Sequence, residues 1–179
     1  MKNIILGVTG SIAAYKSADL ANSLTKLGND VHVVMSESAT KFITPLTLKT
    51  LSKNKVYINM FEDYVPEEVE HVSLVSRADL ILIAPSTANF IAKIANGLAD
   101  DMLTSIVLAS KDVPILICPA MNTGMYKNKI TQKNINFLKS LGYFFMEPRE
   151  SKLACGDFGK GALANLEDIL VQVDKIMKQ

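Results

Sequence analysis

Apolar runs alternate with amphipathic segments along almost the whole chain. Five short runs that are apolar almost throughout predict β-strands, at Ile4–Thr9, Val31–Met35, Leu80–Ala84, Ile115–Cys118 and Tyr143–Met146. The remaining periodic segments have the apolar spacing of helices, at Ala13–Leu27, Pro45–Ser52, Val72–Arg77, Asn89–Leu108, Ile130–Leu141 and Asn165–Met177. Apolar strands that are separated by helices are typical of a parallel sheet covered on both faces. The pattern therefore predicts a doubly wound α/β fold.

Length and charge narrow the class of protein. The 179 residues predict one domain, 1–179, and the formal net charge of +1 gives no electrostatic reason to bind nucleic acid or an anionic membrane. Apolar runs such as 80–85 are far shorter than the ~20 residues of a membrane span, and the first residues make a poor signal peptide. Two cysteines far apart in sequence do not indicate a disulfide framework. We expect a cytoplasmic protein.

Glycine and hydroxyl residues follow the first two predicted strands. Gly10, Ser11 and Ile12 stand where a strand turns into a helix, and backbone N–H groups at such a turn can bind phosphate. The spacing is not the G-x-G-x-x-G of a dinucleotide site. Ser36 and Ser38 after the second strand suit a phosphate better than a ribose diol, which favours a mononucleotide. The alternative is a pair of ordinary strand-to-helix turns.

Two further polar segments come directly after predicted strands. Small residues and hydroxyls after the third strand would let a flat ring or a phosphate approach the backbone, at Ser86, Thr87, Ala88 and Asn89. The fourth strand is followed by Ala120, Met121 and Asn122. Because an open α/β sheet binds its ligand past the carboxyl ends of its strands, these segments are candidates for a binding site. A break and packing feature is predicted at residues 95–101, within the long fourth helical pattern.

Histidine and cysteine residues offer candidate chemistry. His71, at a predicted helix start, can accept a proton near neutral pH, although a solvated helix-start residue is the alternative. His32 alternates with apolar neighbours in a strand and Cys118 ends one, so both are expected to be structural. Cys155 follows Ala154 in the Gly- and charge-rich stretch 147–161, which is predicted to be a long functional loop with an accessible thiol. No second Cys or His stands at ligand spacing, so we expect no metal.

Several of these strings resemble one known family. Residues 119–126, P-A-M-N-T-G-M-Y, closely resemble the P-x-M-N-x-x-M-W signature of the flavin-containing cysteine decarboxylases, with Tyr126 in place of Trp. The G-S-I turn, the A-P-S-T-A-N segment with Phe90 in place of Thr, and H-x-x-L at His71 are similar to the family's other motifs. A-C-G-D-F-G-K-G resembles the loop of the branch that acts on phosphopantothenoylcysteine. The resemblance extends from Gly7 to Ala164 and implies a Rossmann-like (flavodoxin-like) parallel sheet.

The resemblance implies FMN-dependent decarboxylation of 4′-phosphopantothenoylcysteine to 4′-phosphopantetheine in coenzyme A biosynthesis. If FMN first oxidises the CH2–SH group to a thioaldehyde, the sulfur-bearing carbon becomes an electron sink, so CO2 can leave to give an enethiolate that is then reduced and protonated. The implied roles are base for His71, proton donor for Cys155, and substrate binding for Asn122, Met121 and Ala154. The implied FMN contacts are Gly10, Ser11, Ile12, Ser36, Ser38, Ser86, Thr87, Ala88, Asn89 and Ala120.

The resemblance further implies a homotrimer or a trimer-based oligomer. Families that fuse the decarboxylase to its synthetase have a longer C-terminal region, so we expect the synthetase on another chain. Three alternatives stay open. A peptidyl-cysteine decarboxylase would keep the flavin and His71, but the Cys155 loop favours the coenzyme A substrate. A flavin prenyltransferase shares the architecture, yet its motifs should lack P-A-M-N and A-C-G-D. A regulatory subunit of a protein phosphatase would be expected to carry long acidic or low-complexity extensions.

Overall fold

The computed structural model describes residues 1–60, 70–152 and 158–179. Within these ranges the strands are β1 Asn3–Val8, β2 Asp30–Met35, β3 Val56–Tyr57, β4 Leu80–Ser86, β5 Ile115–Pro119, β6 Phe144–Phe145, β7 Arg149–Lys152 and β8 Phe158–Ala162. The helices are α1 Lys16–Lys26, α2 Pro45–Ser52, α3 Glu70–Arg77, α4 Ala88–Ala95, α5 Met102–Ala109, α6 Thr123–Lys127, α7 Lys129–Ser140 and α8 Leu166–Met177. Short 3-10 helices span Ile12–Tyr15 and Glu37–Lys41.

Six strands form one parallel sheet in the order β3-β2-β1-β4-β5-β6. This is the strand order of the Rossmann fold, in which the chain reverses direction across the sheet between the first and fourth strands. The predicted doubly wound α/β fold is therefore confirmed. Ligands bind doubly wound sheets at this switch point, so the turns after β1 and β4 are where a site is expected.

The sheet separates two apolar cores because successive side chains of a strand point to opposite faces. Ile4 and Leu6 of β1 pack on one face in a cluster that includes residues of α1 and α8. Ile5 packs on the other face with residues of α3, α4, α5 and α7. Burial on both faces explains why β1, β4 and β5 are apolar throughout. Among the helices described here, none is both long and apolar enough to cross a membrane.

The long helical pattern over 89–108 is two helices with a turn between them. α4 ends before Gly97, whose φ of +69° is a conformation that glycine adopts without strain. α5 begins after Asp101, whose side chain and that of Thr104 form a reciprocal capping box. The predicted helix break at residues 95–101 is therefore confirmed.

The prediction of a long loop over 147–161 is wrong for most of the described part of that stretch, which forms two strands. β7 and β8 pair antiparallel, with Glu150 opposite Lys160, and form a second, two-stranded sheet. The two strands lack apolar alternation and β8 contains two glycines, so local propensity does not reveal the pairing. The glycines fit because β8 lies against the chain after β5: a Cβ at Gly161 would overlap the Met121 carbonyl oxygen.

Candidate functional site

One buried threonine joins the ends of β1 and β4 at the switch point. Thr9 is 2% exposed, and its hydroxyl donates to the Pro85 carbonyl at 2.8 Å. The same oxygen accepts the Thr87 backbone N–H at 3.0 Å. Because Pro85 lies near the end of β4 and Thr87 directly follows that strand, Thr9 holds the two polar turns at a fixed separation.

Side-chain oxygens at four strand ends cap the helices that follow. Such capping uses the short polar side chains that the sequence places at the turns. The Ser11 hydroxyl accepts from Ala13, that of Ser36 from Ala39, and that of Thr87 from Phe90, all at 3.2–3.3 Å. Asn122 Oδ1 accepts the Gly124 N–H at 2.7 Å and the Met125 N–H at 3.4 Å, which sets the orientation of its amide. Each hydroxyl keeps its hydrogen available to donate elsewhere.

Gly10 brings the first two turns into contact. A Cβ at this position would overlap the Ser38 Cβ and would stand 3.1 Å from the Ser38 carbonyl carbon. The space beside Gly10 on this side is therefore filled by the protein, and the glycine serves close packing of the turns as well as access for a ligand.

Two adjoining clefts open at the carboxyl edge of the sheet. The first, which we call the hairpin cleft, measures about 570 Å³ and lies between the turns after β1, β4 and β5 and the β7–β8 pair. The second, which we call the hydroxyl cleft, measures about 500 Å³ and lies between the turns after β1, β2 and β4. Both volumes fall in the roughly 300–1,000 Å³ range of small-molecule and cofactor sites. The clefts share Gly10, Thr87 and Met125.

Most of the sequence-predicted site residues line these clefts. In the hairpin cleft are Gly10, Ser11, Ile12, Thr87, Ala88, Ala120, Met121 and Asn122. In the hydroxyl cleft are Gly10, Ser36, Ser38, Thr87 and Asn89. Residues from turns that are distant in sequence thus meet at one edge.

Two predicted residues within the described part of the chain line neither cleft, and two more cannot be placed. Ser86 is fully buried at the end of β4, and its hydroxyl has no hydrogen-bond partner among the described residues. His71 is the second residue of α3, half-buried, and lines neither cleft. Ala154 and Cys155 lie outside the described residues. The two structural predictions hold, since Cys118 is fully buried in β5 and His32 lies in β2, 3.1 Å from the Asp30 carboxylate.

The hydroxyl cleft contains a cation that is already neutralised. Lys93 Nζ lies 2.7 Å from Asp100 and 3.1 Å from Asp101. The hydrogen bond that Lys93 donates to Asp100 is the main reason that the pKa of Lys93 is raised. Burial opposes ionisation of Asp101, but its bonds from Thr104 and Lys93 outweigh this, so the pKa of Asp101 is lowered. Since Glu37 also lines this cleft, carboxylates outnumber cations in its described lining, and the hydroxyls of Ser36, Ser38 and Thr87 are the neutral groups it offers a ligand.

Sequence reasoning missed two cations in the hairpin cleft, Lys16 and Arg149. Lys16 comes one turn after the Gly10-Ser11 pair, and that proximity could have identified it. Arg149 carries no such signal, because only the β7–β8 pairing brings it to the cleft.

The chemical types of the residues that line these clefts suit a flavin. The hydroxyl cleft supplies Ser36, Ser38 and Thr87 for a polyhydroxylated chain, and the buried Ser86 hydroxyl beside it is a polar group without a partner in the described chain. The small residue Ala88 lets a flat ring approach the end of β4. Fold and site together define a doubly wound α/β protein that binds a nucleotide-type cofactor at its switch point.

Comparison with known proteins identifies the family within this class. The chain belongs to the Flavoprotein family, whose sequence model matches residues 1–178, and its cofactor is a flavin. It is 51% identical over 175 residues to the probable phosphopantothenoylcysteine decarboxylase of Streptococcus mutans, with 97% of this chain and 98% of that protein covered. It is 45% identical to the coenzyme A biosynthesis bifunctional protein CoaBC of Bacillus subtilis, covering 97% of this chain but only 43% of that protein.

Solved structures agree with the sequence comparison. A cysteine-to-serine mutant of PPC decarboxylase, complexed with pantothenoylaminoethenethiol, superposes with a TM-score of 0.90 at 32% identity, covering 99% of both chains. The FMN-dependent cysteine decarboxylase SpaF superposes with a TM-score of 0.85 at 28% identity, covering 100% of this chain and 98% of that one.

Proposed function

We propose that this protein is an FMN-dependent carboxy-lyase that converts 4′-phosphopantothenoylcysteine to 4′-phosphopantetheine in coenzyme A biosynthesis. One observation carries the proposal. The hairpin cleft joins Ala120, Met121 and Asn122 to the turns after β1 and β4, in a chain that is 51% identical to a probable phosphopantothenoylcysteine decarboxylase along its length. Since that similarity covers 98% of the relative, we further propose that residues 1–179 act as one catalytic domain.

Asn122 is the residue best placed to hold the reacting end of the substrate. Its Oδ1 is engaged by the Gly124 and Met125 backbone, so the amide is oriented from inside the protein. We assign Asn122 to binding the cysteine carboxylate, with Met121 beside it in the cleft wall. When bound, FMN supplies the hydride acceptor and donor that make the reaction redox-neutral overall.

The proton-transfer roles rest on His71 and Cys155. We propose that His71 takes the thiol proton as the CH2–SH group is oxidised to a thioaldehyde. After CO2 has left, Cys155 donates the proton that completes the reduction of the enethiolate. Cys155 lies outside the described residues, so its role rests on the similarity of its sequence motif to the phosphopantothenoylcysteine branch.

His71 also bears on the oligomeric state. Within one chain it lines neither cleft, although α3 begins at the same edge of the sheet, and the adjoining Val72 is 51% exposed. A second copy packed against this edge would bring His71 to a neighbouring cleft, which supports our proposal of a homotrimer or trimer-based assembly. A stable monomer in light scattering that still turns over would contradict it. A cytoplasmic location is part of the same proposal.

The decisive experiment is mass spectrometry of the purified flavin-loaded protein with 4′-phosphopantothenoylcysteine and no added reductant. We expect conversion to 4′-phosphopantetheine with the loss of CO2. Asn122→Asp keeps an oxygen for the helix cap but places a carboxylate opposite the substrate carboxylate, so its kcat/KM should fall at least about 100-fold while flavin stays bound. Flavin binding without any turnover of this substrate would remove the proposed function, and a cysteine-ending peptide is the next substrate to offer.

A further inference from the structure

Two cations lie together in the hairpin cleft with no carboxylate beside them among the described residues. Lys16 is the first residue of α1 and Arg149 is the first residue of β7, and both side chains are half-buried. The described residues that line this cleft include no carboxylate. Neither cation forms an ion pair within the described part of the chain. The described lining of the cleft therefore carries a net positive charge.

The position of each cation is unfavourable unless an anion binds. Lys16 follows the 3-10 turn Ile12–Tyr15 directly, and its ammonium lies near the Arg149 guanidinium. Its pKa is lowered, first by burial and then by the nearby charge of Arg149. By contrast, Lys93 and Lys160 at the same edge are each paired with carboxylates. Residues that break local electrostatic rules in this way are characteristic of functional sites.

The guanidinium of Arg149 is also held in place. Its Nε donates to the Leu163 carbonyl at 2.9 Å, and Leu163 itself lines the cleft. Within the described residues its remaining N–H groups have no protein partner, and they can form the fork that binds a phosphate through two hydrogen bonds. Lys16 adds a compact charge beside it. Together these groups match a phosphate monoester, the one strong anion at the end of the substrate remote from its cysteine.

We propose that Lys16 and Arg149 form the subsite for the phosphate of the substrate, so that the enzyme selects phosphorylated over unphosphorylated pantothenoylcysteine. This proposal rests on the proposed function. FMN also carries a phosphate monoester, but the hydroxyls expected to hold its polar chain, Ser36 and Ser38, line the hydroxyl cleft, to which neither Lys16 nor Arg149 contributes. The subsite thus lies in the same cleft as Asn122, where the substrate cysteine is assigned.

The test compares kcat and KM for 4′-phosphopantothenoylcysteine and pantothenoylcysteine in wild type, Lys16→Met and Arg149→Gln. In each variant we expect KM for the phosphorylated substrate to rise about ten- to hundredfold while its kcat stays the same. KM for the unphosphorylated substrate should not rise with it. Lys16→Arg should restore much of the preference because it retains the charge. Lys178→Met, which removes a surface cation paired with Asp174, is the matched control.

FMN affinity, measured by quenching of flavin fluorescence, distinguishes a site for the substrate phosphate from a site for the FMN phosphate. Unchanged FMN affinity together with lost substrate preference supports the subsite, and it also shows that the variants fold. A fall in FMN affinity in both variants would assign the cations to the flavin phosphate and overturn the proposal. Equal effects on both substrates would also overturn it. In either case turnover by the wild type would leave the proposed function standing, whereas no turnover of either substrate would refute that function itself.

Discussion

Replacing Gly10 by alanine tests whether the first two turns of the site depend on close packing. The added Cβ would fall well inside 3.0 Å of the Ser38 Cβ, a separation that real Cβ atoms essentially never show. It would also stand 3.1 Å from the Ser38 carbonyl carbon and 3.3 Å from its oxygen. Since these atoms belong to backbone or are fixed to it, the turn after β2 must move. Overpacking of this kind costs about 1–3 kcal/mol, and we expect a value near the upper end.

The partner position makes the prediction specific. Ser38→Gly removes the Cβ that the new methyl group meets, so it should recover about 1–2 kcal/mol in the double mutant. Ser38→Ala keeps that Cβ and should recover nothing, which makes it the matched control. The assay is urea denaturation at one fixed FMN concentration, because bound flavin contributes to the apparent stability. Equal rescue by Ser38→Gly and Ser38→Ala would refute the argument from Cβ overlap, as would an unchanged stability of Gly10→Ala alone.

Two further predictions concern the polar links around the site. Thr9→Val leaves the Thr87 N–H without its buried acceptor and should lower the free energy of unfolding by about 1–3 kcal/mol, whereas Thr9→Ser keeps both hydrogen bonds and should cost less; urea denaturation measures both. The hydrogen bond from Lys160 is the main reason that the pKa of Glu147 lies below its ordinary value of 4.5. The ionised Glu147 carboxylate therefore stabilises the folded state fully above that value. This stabilisation is lost as the pH falls through the lower pKa of the folded state. The stability difference between wild type and Glu147→Gln should be constant near neutrality and vanish in acid; because Glu147 is 58% exposed, we expect it to be small. A difference that grows on acidification would contradict this.

The parts of the fold that the sequence predicts are those governed by local burial and local turns. β1 is recognisable because side chains on both of its faces are buried, and α1 ends where Gly28 adopts a φ of +85°. The turn residues of the site are recognisable because capping selects short polar side chains, as at Ser36 and Thr87.

The remaining features depend on contacts between distant segments. The β7–β8 pairing sets Glu150 against Lys160 and carries Arg149 to Lys16, and no periodicity in either strand encodes that contact. The position of His71 outside both clefts is equally hidden, since a motif gives the type of residue but not the surface that it meets. The sequence thus predicts where a candidate site lies, at the strand ends, whereas the charge of that site depends on tertiary contacts.

The β7–β8 pair lies outside the six-stranded sheet, and Met121 donates a backbone hydrogen bond to Gly161 at 2.9 Å where the two meet. One wall of the hairpin cleft is therefore formed by β7, β8 and Leu163, whereas the opposite wall is assembled from turns of the sheet. Changes in residues 149–162 can alter what the cleft accepts without disturbing the strands that shape the hydroxyl cleft. In evolution, and in engineering, ligand preference in this scaffold can change by exchange of a single short segment while the cofactor-binding half is inherited intact.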